Sequence, residues 1–227
     1  MPAVSNRARQ LGTENAFVVL AEVNALIRSG RDIISFCIGQ PDFPTPVNIQ
    51  DAAVTAIRGG RHGYTPSAGI NELREAVARD IQRTRGLTVD PSDVVVAAGA
   101  KPFIGYTVLS VTDFGAGDEV IYPNPGFPIY ESQIRANGAV PVPIHLKESR
   151  GFNFDPQELE DRITPRTRLL ILNSPHNPTG GIIPRAQMEA IADILRRHEQ
   201  VWVFADEIYG RLVYDGEFTS IATLPGM

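Results

Sequence analysis

The chain has 227 residues and a mass of 24.7 kDa, enough for one large or two small hydrophobic cores. Gly (20) and Pro (18) make up about a sixth of it, more turn-forming residues than usual but below the ~25–30% of disordered chains. A net charge of −5 and a pI near 5.4 speak against nucleic acid as the main partner, and no run of ~18 apolar residues encodes a membrane span.

The opening ten residues are polar and show no secretory leader. Residues 16–28 carry Phe17, Leu20, Val23, Ala25, Leu26 and Ile27 at roughly helical spacing, and Gly30 stops the pattern. Residues 33–38 read as a short strand. This strand holds Cys37, the only cysteine, which cannot form an internal disulfide and fits a reducing cytoplasm. Segment 40–46 (QPDFPTP) contains three prolines and reads as loop. Residues 48–58 predict a helix closed by Gly59-Gly60. A loop carrying Tyr64 follows at 63–69, then a helix at 71–85 with Leu73, Val77 and Ile81 on one face.

From residue 93 the pattern is regular. Strands are predicted at 94–97, 119–122, 140–144, 169–172 and 201–205, alternating with helices at 103–111, 129–136, 156–163 and 185–197. Runs such as Leu169-Leu170-Ile171-Leu172 lack polar alternation, as strands buried on both faces do. The fold class is therefore α/β, a mostly parallel sheet with helices on both faces. Residues 1–46 form a less regular N-terminal segment ahead of a large domain that begins at 47.

In open α/β sheets ligands sit beyond the carboxyl ends of the strands, which selects four segments. Ala98-Gly99-Ala100-Lys101 opens a helix: small residues there let backbone N–H groups converge on an anion, or simply pack a tight turn. Phe127, in PNPGFPIY (123–130), either stacks on a flat ligand or packs. Loop 173–181 (NSPHNPTGG) fixes polar groups between prolines, and such a loop after a buried strand points to function. Asp206 ends an apolar run and needs a partner: a cation, a cap, or a ligand group carrying a proton. Tyr209 shares its side if the chain turns helically. A P-loop is absent, and Gly115-Ala116-Gly117 precedes a strand rather than following one, so neither nucleotide fingerprint applies. The four histidines show no metal-ligand spacing, no Gly-x-Ser-x-Gly elbow exists, and only Lys101 and Lys147 are lysines.

Gly39-Gln40-Pro41-Asp42-Phe43, the Tyr64 loop, Gly99-Ala100-Lys101, Phe127, Asn177-Pro178-Thr179-Gly180 and Asp206-Glu207-Ile208-Tyr209 together resemble the class I/II aminotransferases. These are pyridoxal-phosphate enzymes of the aspartate-aminotransferase fold. The motifs occur in the family's order along essentially the whole chain, and the Asn-Pro-Thr-Gly and Asp-x-x-Tyr pair is the specific part.

The resemblance implies a pyridoxal 5'-phosphate site and a large domain incomplete at its C-terminus, preceded by the N-terminal part of a small domain. It also implies that Asp206 pairs with the pyridine nitrogen and that Tyr209 and Asn177 bond the ring's 3-oxygen. Backbone amides around Gly99, Ala100 and Lys101 would hold the phosphate, and Phe127 would stack on the ring. Tyr64 would reach the partner subunit's phosphate in a homodimer, and Gly39 and Asn177 would line the substrate site. Phe127 stands where many relatives have Trp or Tyr, and Pro102 where they often have Gln. The family's Schiff-base lysine lies beyond Met227. Lys101, by resemblance part of the phosphate turn, does not replace it, so residues 1–227 alone are expected to be inactive. The resemblance also implies that two strands following Met227 sit inside the sheet, between the strand at 94–97 and the one at 169–172. The expected reaction of the complete protein is amino-group transfer between an amino acid and a 2-oxo acid. The alternatives are a C–S lyase or decarboxylase of the same fold, or a non-catalytic fragment.

Overall fold

The computed structural model describes residues 3–9, 11 and 15–227; residues 1, 2, 10 and 12–14, part of the predicted N-terminal segment, lie outside them. The chain divides into two compact units, residues 14–71 and the remainder. The short α1 (Asn6–Arg9) belongs to the larger unit, where the Arg7 guanidinium lies 5.3 Å from the Phe114 ring centroid.

The smaller unit holds α2 (Asn15–Arg28) and α3 (Val47–Arg58). Helix α3 stops where expected: the Gly59 N–H bonds the Thr55 carbonyl, and Gly60 takes φ +74°, a conformation glycine adopts without steric cost. The strand predicted at 33–38 does not form. Ile34 and Phe36 are 83% and 92% exposed, and among the described residues no strand offers this segment a ladder.

The larger unit continues with α4 (Asn71–Arg85), α5 (Lys101–Val111), β1 (Glu119–Asn124), α6 (Ile129–Ala136) and β2 (Val140–His145). It ends with α7 (Pro156–Arg162), β3 (Thr167–Asn173), α8 (Arg185–Leu195) and β4 (Trp202–Asp206). The strands pair in parallel in the order β2-β1-β3-β4. Successive strand residues point to opposite faces, and here both faces are covered. Val120, Leu169 and Ile171 pack with Ile104 and Val108 of α5 and Ile134 of α6. Ile121, Leu170 and Leu172 pack with Leu159 of α7 and Met188 and Ile191 of α8. Each such side chain removed from water contributes roughly 1.5–3 kcal/mol. The absence of alternation in the sequence is thus explained.

Two more expectations are corrected. Residues 94–97 form no strand: the Val94 carbonyl accepts from Arg74 Nε at 2.9 Å, Val95 is half exposed, and among the described residues no strand pairs with the segment. Further strands cannot enter beside 169–172 either, because β3 is bonded by β1 on one side and β4 on the other. Among the described residues the free edges of this sheet are the outer edges of β2 and β4, the two ends of the strand order.

Strands β2 and β3 lie on opposite sides of β1. The connection order therefore reverses between β1 and β3, which marks the crevice at their carboxyl ends as the ligand position of an open α/β sheet. Among the described residues no helix is long and apolar enough to cross a membrane.

Candidate active site

The loop after β1 is shaped by one glycine. A Cβ on Gly126 would lie 2.2 Å from the Pro123 carbonyl oxygen, so only glycine permits this close approach. The turn feeds directly into α6, where the Tyr130 N–H bonds the Phe127 carbonyl at 3.0 Å. The half-buried Phe127 ring stands edge-on to Tyr130, with centroids 5.7 Å apart at 82°. The Lys101 ammonium lies 5.5 Å from the Phe127 centroid. Gly99 takes φ +86°, and no side chain caps α5 at Ala100. The positive end of that helix is therefore open to an anion.

Beyond β3 and β4 the loops are tied by one buried side chain. Asn173 sits opposite Asp206 in the ladder, 5% exposed. Its Nδ2 donates to the Asp206 carbonyl at 3.0 Å and its Oδ1 accepts the Asn177 N–H at 2.9 Å. His176 braces the same loop: its Nδ1 lies 2.8 Å from Thr179 Oγ1, and its backbone exchanges bonds with Gly180 and Gly181. Among the described residues its Nε2 makes no hydrogen bond of good geometry. Burial lowers the imidazole to about 4, weakly opposed by the Pro125 backbone, so the ring is neutral near pH 7. The Asn177 amide reaches the Tyr209 hydroxyl at 3.4 Å.

Asp206 is the last residue of β4 rather than the first beyond it. Its Oδ2 accepts the Tyr130 hydroxyl at 2.7 Å, and among the described residues its Oδ1 receives only a long contact, 3.5 Å, from the Ile208 N–H. The neighbouring Glu207 turns to Arg85 at 2.8 Å, and burial raises its pKa. Two adjacent carboxylates thus have separate partners. Tyr130 is wholly buried, and that burial, reinforced by the Asp206 charge and hydrogen bond, lifts its hydroxyl well above the usual tyrosine range. It remains a donor.

The structure therefore links Lys101, Phe127 and Asp206 through Tyr130, and pairs Asn177 with Tyr209. Gly99 and Ala100 lead directly into Lys101 at the start of α5. Gly39 and Tyr64 belong to the smaller unit, and both are exposed, Tyr64 completely. Lys147 is engaged elsewhere, 3.8 Å from Glu158. Among the described residues no cluster of His, Cys, Asp or Glu could hold a metal. Sequence reasoning missed Tyr130 and the bridging role of Asn173. A tyrosine three residues after Phe127, on a helix face turned to the core, needs a hydroxyl partner, and that was the available signal.

The carboxyl edge of the parallel sheet gathers a carboxylate, an aromatic face, an amide–phenol pair and a helix N-terminus without a side-chain cap, groups that could hold a flat, anionic ligand. The family model described as "Aminotransferase class I and II" matches residues 31–226. The chain belongs to that family. It is 39% identical over 226 residues to the bifunctional aspartate aminotransferase and glutamate/aspartate-prephenate aminotransferase of Petunia hybrida, covering 99% of this chain and 47% of that protein. It is 38% identical to the aspartate/prephenate aminotransferase of Cereibacter sphaeroides, covering 57% of it. The aspartate aminotransferase of Thermus thermophilus with maleate superposes with a TM-score of 0.93 at 36% identity, over 98% of this chain and 58% of that one. The chain spans about half the length of the curated relatives it matches.

Proposed function

We propose that the protein carrying this chain is a pyridoxal-phosphate-dependent aminotransferase that moves an amino group between an amino acid and a 2-oxo acid. The single observation that carries this reading is Asp206: a carboxylate at the carboxyl end of β4, with one oxygen bonded to Tyr130 and the other nearly free. The donor set fits the cofactor. Asp206 suits a protonated pyridine nitrogen, Asn177 and Tyr209 suit a phenolic oxygen, Phe127 offers a face for the ring, and the start of α5 suits a phosphate. Bound pyridoxal phosphate supplies an electron sink for the pair released at the substrate's α-carbon.

This chain's residues then have distinct tasks. Asp206 holds the proton on the ring nitrogen. Asn177 and Tyr209 favour the anionic form of the 3-oxygen by donating to it. Phe127 fixes the ring plane, and the amides around Gly99, Ala100 and Lys101 bind phosphate. Lys101 lies over the Phe127 ring, a contact worth about 0.5–1 kcal/mol at an exposed site. Gly39 lines the substrate carboxylate pocket, and Tyr64 reaches the phosphate of the partner subunit in a homodimer. In the complete protein residues 1–46 would contribute to a small domain and residues 47–227 to the large one, a boundary that differs from that of the two compact units 14–71 and the remainder.

The test is cofactor binding by the protein expressed from its complete reading frame. One pyridoxal phosphate per subunit is expected, with Asp206→Ala weakening its retention. A protein that binds none, with its fold intact, overturns the reading.

A further inference from the structure

We propose that Tyr130 is a positioning residue: its hydroxyl fixes the Asp206 carboxylate so that Oδ1 is the oxygen presented to the cofactor's ring nitrogen. The inference rests on the function proposed above and adds a residue to it.

The two oxygens of Asp206 are held unequally. Oδ2 accepts the Tyr130 hydroxyl at 2.7 Å, whereas among the described residues Oδ1 receives one hydrogen bond, from the Ile208 N–H at 3.5 Å, at the outer limit of a hydrogen bond. The terminal torsion of a carboxylate is broad and roughly two-fold, so a free Asp206 would present either oxygen. One short bond from a fixed donor removes that freedom.

The donor is fixed. Tyr130 is 0% exposed and its ring packs within the core formed by α5, α6 and one sheet face. Phe127 closes on it edge-to-face at 5.7 Å. The contact joins α6 to the end of β4, across 76 residues of sequence. The ring-stacking residue and the nitrogen-anchoring residue thus rest on one side chain, which sets the spacing between them. The hydroxyl keeps its proton, because burial beside a carboxylate opposes a phenolate.

The experiment uses the holoprotein from the complete reading frame, with Tyr130→Phe, Asp206→Asn and the double variant. Tyr130→Phe keeps the ring and its packing and removes only the donor. The readouts are the dissociation constant of pyridoxal phosphate and the pH midpoint of the bound cofactor's absorbance, with thermal melting alongside. Tyr130→Phe is expected to weaken binding about tenfold, the worth of a hydrogen bond to a charged group, and to displace the midpoint by about half a unit. Both effects should vanish when Asp206 is already Asn. A role in packing alone would lower the melting temperature and leave midpoint and coupling untouched. Binding within twofold of wild type and an unmoved midpoint, while Asp206→Asn shifts both, would overturn the positioning role alone; additive effects in the double variant would also overturn it. If Asp206→Asn shifts neither readout, the proposed function itself falls, and the positioning role with it.

Discussion

Asn173 and Asp206 close the β3–β4 ladder at its carboxyl end, and the Asn173 amide donates to the Asp206 carbonyl at 3.0 Å while its own oxygen holds the Asn177 N–H. One buried side chain therefore sets the exit of the strand bearing Asp206 and the entry of the loop bearing Asn177. Asn173→Ala leaves the Asn177 N–H without its acceptor, at about 1–3 kcal/mol, while the Asp206 carbonyl keeps only the longer bond from the Ser174 N–H at 3.3 Å. The expected result is a clear drop in melting temperature together with weaker pyridoxal-phosphate retention. Unchanged values for both would show that Asn173 organises nothing.

Asp206→Ala is expected to cost more turnover than Tyr209→Phe. Asp206 controls the ring-nitrogen proton, whereas Tyr209 shares its work with Asn177, 3.4 Å away. Loss of a preorganised electrostatic partner costs ~10²–10³ in rate. Steady-state rates of the two variants check the ranking, and equal near-wild-type rates in both refute it.

His176 gives the fold an acid-sensitive point. Its folded pKa of about 4 lies below the ordinary 6.5 because of burial. The unfolded chain thus binds the proton first. The neutral imidazole contributes fully above pH 6.5, and that contribution fades as pH falls and is spent by about 4. The shift corresponds to roughly 3 kcal/mol. His176→Gln should flatten the stability profile across this window. Glu119 acts lower: burial raises it, but bonds from Thr164 and Arg166 outweigh that and hold it below 4.5. Denaturant melts from about pH 2 to 7 resolve the two; parallel profiles for wild type and His176→Gln would contradict the assignment.

Gly126→Ala is expected to displace the loop carrying Phe127, since the new Cβ would meet the Pro123 carbonyl at 2.2 Å. Weaker cofactor retention with the core helices intact by circular dichroism is the expected outcome. Wild-type retention would show that the loop tolerates the shift.

The sheet and the site were legible to different degrees. Helices from 71 onward and the four paired strands follow from apolar runs, capping glycines and prolines, because packing and propensity agree there. Segments 33–38 and 94–97 have strand-like composition but no ladder, and a strand is defined by its partner rather than its own residues. Asp206, Asn177 and Phe127 stood out as polar or aromatic residues at strand ends. Tyr130 did not, since its meaning lies in a contact 76 residues away. The direction of strand addition was misread for the same reason: spatial order is not written in local pattern.

Residues 1–227 expressed alone are expected to transfer no amino group. The chemistry needs a neutral lysine amine at the cofactor's aldehyde, and the two lysines are placed over Phe127 and beside Glu158. The outer edge of β4, with Trp202 65% exposed, offers a template for self-association. Light scattering and an exchange assay on this piece check both points; a monodisperse, active piece would contradict them.

The most direct measurement is transfer of ¹⁵N from a panel of labelled amino acids to 2-oxo acids by the protein expressed from its complete reading frame, with Asp206→Ala beside it. The expected result is pyridoxal-phosphate-dependent appearance of label in the product amino acid, reduced ~10²–10³-fold in the variant. Release of ammonia or carbon dioxide without transfer, or transfer indifferent to Asp206, would contradict the assignment of this site to amino-group transfer.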